Sequence, residues 1–365
     1  MKLVKHLSWL LLLLLVVSGC ETQSIPAGPA GGGNNILDPR PVGADWYEIY
    51  FTDPTCPPDT ERVDGVDEII AADLLQAQRS VDIAAFDLDA EPIVNALITL
   101  EGEGIPVRVV TDTDNEELPT INRLRRNGIS VITDDRSALM HNKFIVIDGT
   151  IVWTGSLNYT TNGAYCNNNN AVRIASADLA RNYTREMDEM YIDRLFGPRS
   201  PDNTPAKQLK INGVVVENYF AAEDEIAPVI VDLIAAAEDS IQFMAFSFTH
   251  EDIGEAMIAA AEEGVLVEGV FETTGANTAF SYYPDMRDAG LPNLRVLKDG
   301  NPRIMHHKVI IIDGHTVILG SYNFSGSAND SNDENVLIVH DPTFTGFFQE
   351  EFDLIWAEAE ARADN

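Results

Sequence analysis

One motif occurs twice in this sequence, and its second copy reads MHHKVIIIDGHTVILGSYN at residues 305–323. The first copy reads MHNKFIVIDGTIVWTGSLN at residues 140–158. Between residues 141–158 and 306–323, ten of eighteen positions are identical without a gap. A match of this length indicates an internal duplication, so we expect a chain of two similar halves.

The duplication extends upstream of the motif. Ser80 begins SVDIAAFDLDAEPIVNALITLEGEGIPVRVVTD, and Ser240 begins its ungapped counterpart SIQFMAFSFTHEDIGEAMIAAAEEGVLVEGVFE. Each copy has the pattern strand, polar loop, amphipathic helix, strand, and Gly104 and Gly264 are predicted to end the helices. This alternation favours an α/β fold in which each half has a mixed, largely parallel sheet flanked by helices.

Changes in composition divide the chain into five segments. Residues 1–19 are predicted to be a signal peptide, and residues 20–45, rich in Gly, Pro and Asn, a flexible tether. The N-terminal half is expected at residues 46–196 and the C-terminal half at residues 211–365. A linker rich in Pro, Asn, Ser and Thr is expected between them, at residues 197–210.

The N-terminus has the features of an export signal. Lys2 and Lys5 precede an apolar run, Leu10–Val17, that is short for a membrane span. The Val-Ser-Gly-Cys ending at Cys20 resembles the lipobox of bacterial lipoproteins, in which the cysteine is acylated. An ordinary signal peptide with an incidental cysteine is the alternative. We expect an exported protein, lipid-anchored to the outer membrane or outer surface, because Glu21 is not the aspartate linked to inner-membrane retention.

Export places the remaining two cysteines where disulfides persist. An even pair in such a compartment favours a bridge between Cys56 and Cys166. Two separate thiols are the alternative, because sequence does not measure their distance.

The chain is strongly acidic, with a formal net charge of −34. Loss of residues 1–19 removes two lysines and no acid, which brings the charge to −36. A solvated acidic surface accounts for this balance. No broad basic face is available to bind nucleic acid, which disfavours that class of partner without excluding a local basic cleft.

The duplicated motif carries the residues suited to chemistry. Its histidine and lysine lie two positions apart on a predicted strand and therefore point to one face, whereas Asn142 and His307 point to the other. Asp148 and Asp313 begin Asp-Gly turns. Histidine is rare in this chain, and His141 is the only one between residues 20 and 249. The occurrence of a His-x-Lys pair at the same place in both halves therefore indicates a functional site.

The spacing His-x-Lys, four residues, Asp, six residues, Gly-Ser-x-Asn resembles the signature of the phospholipase D superfamily. The resemblance covers residues 46–360 and implies two similar halves facing each other about a pseudo-twofold axis, with one active site at the seam between them. Each half would supply half of the site, and a monomer would suffice. The matching residues are His141, Lys143, Asp148, Gly155, Ser156, Asn158, His306, Lys308, Asp313, Gly320, Ser321 and Asn323.

The resemblance also implies cleavage of a phosphodiester through a covalent phosphohistidine. By family analogy His141 is expected to be the nucleophile and His306 the general acid, although the sequence itself does not order the two, and no metal or cofactor is expected. The expected catalytic residues are His141, Lys143, Asp148, His306, Lys308 and Asp313. Those expected to bind or orient the phosphate are Ser156, Asn158, Asn169, Ser321, Asn323 and Glu334.

The two halves differ downstream of the motif. The family often has a carboxylate at the position of Glu334 that hydrogen-bonds a catalytic imidazole, and the first half has Asn169 there. A carboxylate raises the pKa of a histidine, whereas an amide orients it without charge. The two histidines are therefore expected to differ in pKa, unless Asn169 is merely tolerated. Which histidine Glu334 contacts stays open.

The fold and motif do not choose the substrate. The predicted lipid anchor and the acidic charge favour a phospholipid, so we expect a phospholipid phosphodiesterase. A metal-independent endonuclease or exonuclease is the alternative, and a catalytically silent phosphate- or partner-binding lipoprotein is a third reading. Six cations upstream of the motifs either line the cleft or lie on the surface: Arg123, Arg125, Arg126, Arg295, Lys298 and Arg303.

Overall fold

The computed structural model describes residues 42–363. The predicted signal peptide and the predicted acylation site at Cys20 lie outside these residues, as does most of the tether. The tether was expected to run to residue 45, but residues 42–44 already form a strand that pairs with the next one. Three residues that composition assigned to the tether are therefore part of the first sheet, where backbone pairing with the next strand and the packing of Val42 against the core hold them.

The N-terminal half contains nine strands and five α-helices. The strands are β1 (Val42–Ala44), β2 (Tyr47–Phe51), β3 (Val81–Ala85), β4 (Val107–Thr111), β5 (Ser130–Thr133), β6 (Lys143–Ile147), β7 (Ile151–Gly155), β8 (Asn167–Asn168) and β9 (Asn170–Ala175). The helices are α1 (Val66–Leu74), α2 (Glu91–Glu103), α3 (Pro119–Arg126), α4 (Thr161–Tyr165) and α5 (Ala177–Asp188), which continues into a π-helical turn at Glu189–Asp193.

The C-terminal half repeats this order. Its strands are β10 (Gln208–Ile211), β11 (Val214–Ala221), β12 (Ser240–Ala245), β13 (Leu266–Phe271), β14 (Leu294–Lys298), β15 (Ile304–Met305), β16 (Lys308–Ile312), β17 (Thr316–Gly320) and β18 (Glu334–His340). Its helices are α6 (Ile226–Ala235), α7 (Glu251–Glu262), α8 (Tyr283–Asp288), α9 (Gly326–Asp330) and α10 (Pro342–Ala363). The first strand of this half, β10, starts within the segment that was expected to be linker.

Each half contains one eight-stranded mixed sheet, with equivalent strand orders. The orders are β1-β2-β9-β7-β6-β3-β4-β5 and β10-β11-β18-β17-β16-β12-β13-β14. The predicted α/β class with two similar halves and mixed sheets is confirmed, but the parallel part is smaller than expected. In the first sheet only β3–β4 and β4–β5 are parallel. The helix crossovers make those pairs parallel, whereas turns such as the Asp-Gly turn between β6 and β7 make antiparallel ones.

Both faces of each sheet are buried, which explains the nearly continuous apolar strands. In β6, Phe144 and Val146 face a core shared by both halves, whereas Ile145 and Ile147 face the core under the outer helices. Strand β16 alternates in the same way, with Val309 on the shared side. One face of each motif strand therefore packs in the core shared by the halves, and the other face packs under the outer helices of its own half.

The shared core joins the two halves. Side chains of α5 and α10 pack in it together with the inner faces of both sheets. Both repeat helices end where the glycines predict. Gly104 follows α2 with a φ of 86°, and Gly264 follows α7 with a φ of 105°. Across residues 42–363, no helix is both long enough and apolar enough to cross a bilayer.

Candidate active site

Short backbone contacts across the seam set the position of both motif histidines. Strand β8 pairs in parallel with β15 of the other half, and the N–H of His306 donates to the carbonyl of Asn168 at 2.9 Å. In the equivalent place, the N–H of His141 donates to the carbonyl of Asp333 at 2.9 Å. The backbone of the opposite half thus holds each histidine.

The structure brings the two histidines and two lysines of the motifs together. His141 is 5% exposed and His306 6%, while Lys143 and Lys308 are almost fully buried. The positive charges of Lys308, Lys143 and His141 each lower the pKa of His306, so the four basic groups lie close enough to interact. Each lysine also donates from Nζ to the carbonyl of its own motif histidine, at 2.6 Å for Lys143 and 2.9 Å for Lys308.

A carboxylate orients one imidazole and an amide orients the other, both across the seam. Glu334 Oε2 lies 2.7 Å from Nδ1 of His141, and Asn169 Oδ1 lies 2.9 Å from Nδ1 of His306. The serine of each motif supports the orienting group of its own half: Ser321 Oγ donates to Glu334 Oε2 at 2.7 Å, and Ser156 Oγ donates to Asn169 Oδ1 at 2.9 Å. These serines therefore position the orienting groups rather than face a phosphate.

The glycine before each serine is required by a close backbone approach. At Gly155, with a φ of 141°, an added Cβ would lie 2.4 Å from the carbonyl oxygen of Asn170. At Gly320, with a φ of 144°, the corresponding distance to Asn335 is 2.2 Å. No side chain fits there, so the motif needs glycine at this point.

The motif asparagines each present an unpartnered amide atom. The Oδ1 atoms of Asn158 and Asn323 are buried and have no hydrogen-bond partner among the described residues. Turning the amide by 180° places its NH2 group at the same point, since the two ends have nearly the same shape. Each asparagine is therefore suited to donate to an added oxygen atom, in line with the expected contact to a phosphoryl oxygen.

The structure does not bring the motif aspartates to this site. Asp148 and Asp313 follow strands β6 and β16, and at about 3.3 Å per residue each lies roughly 17 Å along its strand from the motif lysine. Asp148 accepts backbone N–H bonds from Gln78, Arg79 and Ser80, at 2.7–3.1 Å. Asp313 accepts three equivalent bonds from residues 238–240. The expectation that these aspartates are catalytic is thus corrected. Asp148 holds the loop before β3, and Asp313 holds the equivalent loop before β12.

Burial of the cationic groups dominates the electrostatics of the site. It lowers the pKa of His141 to about 4 despite the opposing effect of Glu334, and it lowers the pKa of Lys143 to about 7. Burial and the neighbouring lysines hold the pKa of His306 well below its usual range, and burial with Lys143 does the same to Lys308. An anion bound among these groups would reverse these shifts, because it stabilises every positive charge nearby.

Two phenylalanines flank the imidazoles, and the motif search missed them. The ring of Phe86 lies 5.0 Å from that of His141, and the ring of Phe246 lies 4.8 Å from that of His306. Lys143 Nζ and Lys308 Nζ also lie 5.2 and 4.9 Å from the respective phenylalanine rings. The upstream repeat contained the signal, since these phenylalanines occupy equivalent positions in AAFDL and MAFSF.

The middle residues of the motifs point away from the site, as strand alternation predicts. His307 is fully buried, with Nε2 3.1 Å from Glu351 Oε1 and Nδ1 2.9 Å from Asn170 Nδ2. Asn142 occupies the equivalent place and donates to Glu186 Oε1 at 3.1 Å. Both residues tie the motifs to the shared core.

Two of the cations that precede the motifs form ion pairs with glutamates of neighbouring helices. Arg123 pairs with Glu91 at 2.7 Å and Arg295 with Glu360 at 2.6 Å. Arg136 was not among the cations singled out from the sequence. It pairs with Asp134 of its own half and, across the seam, with Asp333. Because the backbone of Asp333 holds His141, Arg136 supports the position of that histidine.

A disulfide joins Cys56 to Cys166, with the Cα atoms 4.2 Å apart. Cys166 directly precedes β8, the strand whose last residue accepts the backbone N–H of His306. The bridge therefore fastens the segment after β2 to the loop that positions a motif histidine.

Comparisons with known proteins agree with this geometry. The family model for a cardiolipin synthase, PLD-like domain matches residues 70–191 and 230–356, which is more than half of the chain. A mitochondrial cardiolipin hydrolase of Xenopus tropicalis is 34% identical over 139 residues, covering 38% of this chain and 65% of that protein. A phospholipase D of Rickettsia prowazekii is 38% identical over 112 residues, covering 31% of this chain and 53% of that protein.

A solved structure shows the same fold over both halves. The phosphatidylserine synthase of Haemophilus influenzae superposes with a TM-score of 0.59 and 14% identity, and the match covers 85% of this chain and 86% of that one. The matches to the cardiolipin hydrolase and the phospholipase D, in contrast, span less than two thirds of those proteins. The two matched domains, each with its own copy of the motif, establish that the chain belongs to the phospholipase D superfamily.

Proposed function

We propose that the protein is a phosphodiesterase that hydrolyses phospholipids by phospholipase D chemistry. The observation that carries this proposal is the meeting of His141, Lys143, His306 and Lys308 in one buried place, with the pKa of each lowered. Two lysines, two imidazoles and the single carboxylate of Glu334 form a site with an excess of basic groups, which suits it to binding a phosphodiester.

The first chemical step uses His141 as the nucleophile. Glu334 accepts a hydrogen bond from Nδ1–H of His141, which leaves the lone pair of Nε2 free to attack phosphorus. A bond forms between Nε2 and phosphorus, the bond from phosphorus to the leaving alcohol breaks, and Nε2–H of His306 gives its proton to the leaving oxygen. Glu334 stabilises the positive charge that appears on the phosphorylated imidazole.

The second step returns the enzyme to its starting state. Neutral His306 takes a proton from water, the oxygen attacks phosphorus, and the bond to His141 breaks. The hydrogen bond to Asn169 keeps the His306 ring in place without adding negative charge, so its protonated form remains an effective acid. Neither step calls for a metal ion, because the imidazoles supply both nucleophile and acid.

Three observations favour a phospholipid over a nucleic acid. Phe86 and Phe246 give the site an apolar flank, and the formal charge of −34 opposes binding of a polyanion. Two of the similar proteins are named mitochondrial cardiolipin hydrolase and phospholipase D. Acylation of Cys20 would further hold the enzyme at a membrane, on the outer membrane or outer surface. One chain supplies both half-sites, so a monomer is sufficient.

A side-by-side assay tests the substrate. Purified protein is offered vesicles of mixed phospholipids with added ethanol, and in parallel single-stranded DNA. We expect phosphatidic acid and phosphatidylethanol from the vesicles, because the covalent intermediate accepts any small hydroxyl compound. Rapid DNA cleavage without phosphatidylethanol would identify a nuclease instead. If the protein hydrolyses neither phospholipid nor DNA, a catalytically silent binding protein would be favoured.

A further inference from the structure

A second buried cluster of charged residues lies outside the active site, near the point where the halves meet. Glu186 comes from α5, Glu189 from the π-helical turn that follows it, and Glu223 from the loop between β11 and α6. One carboxylate oxygen from each lies within 4.8 Å of the other two. Three like charges so close together in a buried place require compensation.

The nearby cations compensate only part of this charge. Arg185 Nε faces Glu189 Oε1 at 3.3 Å, but Arg185 also donates to Asn203. Glu189 is only 2% exposed, and its Oε2 has no hydrogen-bond partner among the described residues. Glu223 Oε2 is likewise buried without a partner in that part of the chain. Two carboxylate oxygens are thus available to a ligand.

Protons are the alternative to a cation. Burial raises the pKa of Glu186 and of Glu223, and the charge of Glu189 raises both further. At neutral pH the cluster therefore has to bind either a proton or a positive ion. A proton shared between Glu186 and Glu223 would leave the buried Oε2 atom of Glu189 unpartnered, whereas a cation bound in the cluster could also contact that atom.

We propose that Glu186, Glu189 and Glu223 bind a single divalent cation that prefers oxygen ligands, with Ca²⁺ favoured over Mg²⁺. All three ligands are carboxylates, as hard cations require. They come from a helix, a π-helical turn and a loop, and an irregular ligand set of this kind suits the flexible coordination of Ca²⁺ better than the strict octahedron of Mg²⁺.

The position of the site gives the cation a structural role. Glu186 and Glu189 belong to the N-terminal half and Glu223 to the C-terminal half, so the ion would cross-link them. Glu186 Oε1 also accepts a hydrogen bond from Asn142, the residue between His141 and Lys143. Binding of the ion would stabilise the seam on which the active site depends without taking part in the chemistry.

Calorimetric titration of chelator-treated full-length protein with CaCl2, and separately with MgCl2, tests the proposal. We expect one equivalent of Ca²⁺ to bind and the Tm to rise. Glu223→Gln should weaken Ca²⁺ binding at least tenfold, whereas Glu225→Gln, which removes an exposed carboxylate from the same loop, should leave it unchanged. In chelator the Glu223→Gln variant should melt at or above the wild-type temperature, because repulsion in the cluster is relieved.

Several results would overturn the proposal. No saturable binding of Ca²⁺ to the wild-type protein would exclude the site, whatever the behaviour of the variants. Equal weakening by Glu223→Gln and Glu225→Gln would show only general attraction to an acidic surface. A Tm that rises on mild acidification and ignores Ca²⁺ would assign a shared proton to the cluster. If Glu223→Gln does not fold, Glu189→Gln replaces it in the same comparison.

Discussion

Glu334 Oε2 lies 2.7 Å from Nδ1 of His141 across the seam between the halves. The equivalent contact to His306 comes from the uncharged amide of Asn169. The two imidazoles thus have the same geometry and different electrostatics. This difference suits a pair in which one member becomes positively charged during attack and the other gives up a proton.

The first prediction concerns the pH profile of Glu334→Gln. The carboxylate raises the pKa of His141 against the larger lowering by burial, so its removal should lower that pKa below the present value of about 4. The acid limb of kcat/KM should therefore move to lower pH, and turnover should fall about 10- to 100-fold as the phosphoimidazolium loses its partner. Glu351→Gln, at the buried contact to His307, is the control and should leave the acid limb in place. Movement of the alkaline limb alone would exchange the roles of the two histidines.

The second prediction concerns the histidines themselves. His141→Ala and His306→Ala should each remove nearly all turnover, because each half contributes one indispensable group. Quenching a reaction with labelled phospholipid in denaturant at alkaline pH, where a phosphorus–imidazole bond survives, should trap the labelled phosphatidyl group on His141 in the wild-type protein and in no His141 variant. Turnover well below the Tm should persist in chelator.

His307→Ala is the matched control for this prediction. His307 faces the shared core and contacts Glu351, so its loss should reduce the free energy of unfolding by about 1–3 kcal/mol. At low temperature the folded fraction should still turn over far faster than His306→Ala. If the two variants prove equally inactive while folded, the assignment of faces to the motif strand is wrong.

A third prediction separates stability from catalysis at Asp148. Burial raises the pKa of Asp148, but backbone N–H groups of Arg79, Gln78 and Ser80 lower it more, so the net pKa is depressed. Its stabilising effect is therefore present above the unfolded pKa of about 3.9 and lost as the pH falls through the folded value. Asp148→Asn should cost about 1 kcal/mol at pH 7, by denaturant unfolding. The difference from wild type should begin to shrink below about pH 4 and vanish only at a pH below the depressed folded value, and kcat should stay unchanged. A large loss of kcat would restore a catalytic role.

The fourth prediction concerns the bridge between Cys56 and Cys166. Reduction should lower the free energy of unfolding by about 2–4 kcal/mol, since a closed loop of 110 residues is released. Thiol labelling of the unfolded, unreduced protein should modify neither Cys56 nor Cys166. Labelling of both would show that the protein does not form the bridge.

The fifth prediction concerns Cys20. If the cysteine is acylated, the mature protein should fractionate with membranes, and intact mass should show added lipid. Cys20→Ala should release it or leave it unprocessed, with unchanged turnover on detergent-solubilised substrate. A wild-type mass without added lipid, together with membrane fractionation of Cys20→Ala at the wild-type level, would refute acylation.

The sequence was most informative where the two halves repeat. Strand periodicity separates His141 from Asn142, and the glycine after each repeat helix predicts where that helix ends; both properties are local. The sheet was less predictable, because the pairing of β6 with β3 joins segments far apart in sequence and is antiparallel. Local alternation of strand and helix does not contain that information.

Contacts across the seam were the least predictable part of the site. Nothing near Glu334 in the sequence shows that it reaches His141 rather than His306, because 193 residues separate the pair. Asp148 was misjudged for a related reason, since a motif groups residues by order and not by distance. Glu186 and Glu189 are close in sequence, but Glu223 joins them only through the shared core.

The backbone contact between Asn168 and His306 has an evolutionary consequence. Neither half can hold its own histidine, so an ancestor with a single motif would have needed two copies of itself to form one site. In such a homodimer any substitution appears twice, and both imidazoles must keep identical partners. A single chain with two copies is free of that constraint, and the difference between Asn169 and Glu334 is a specialisation that a homodimer could not acquire.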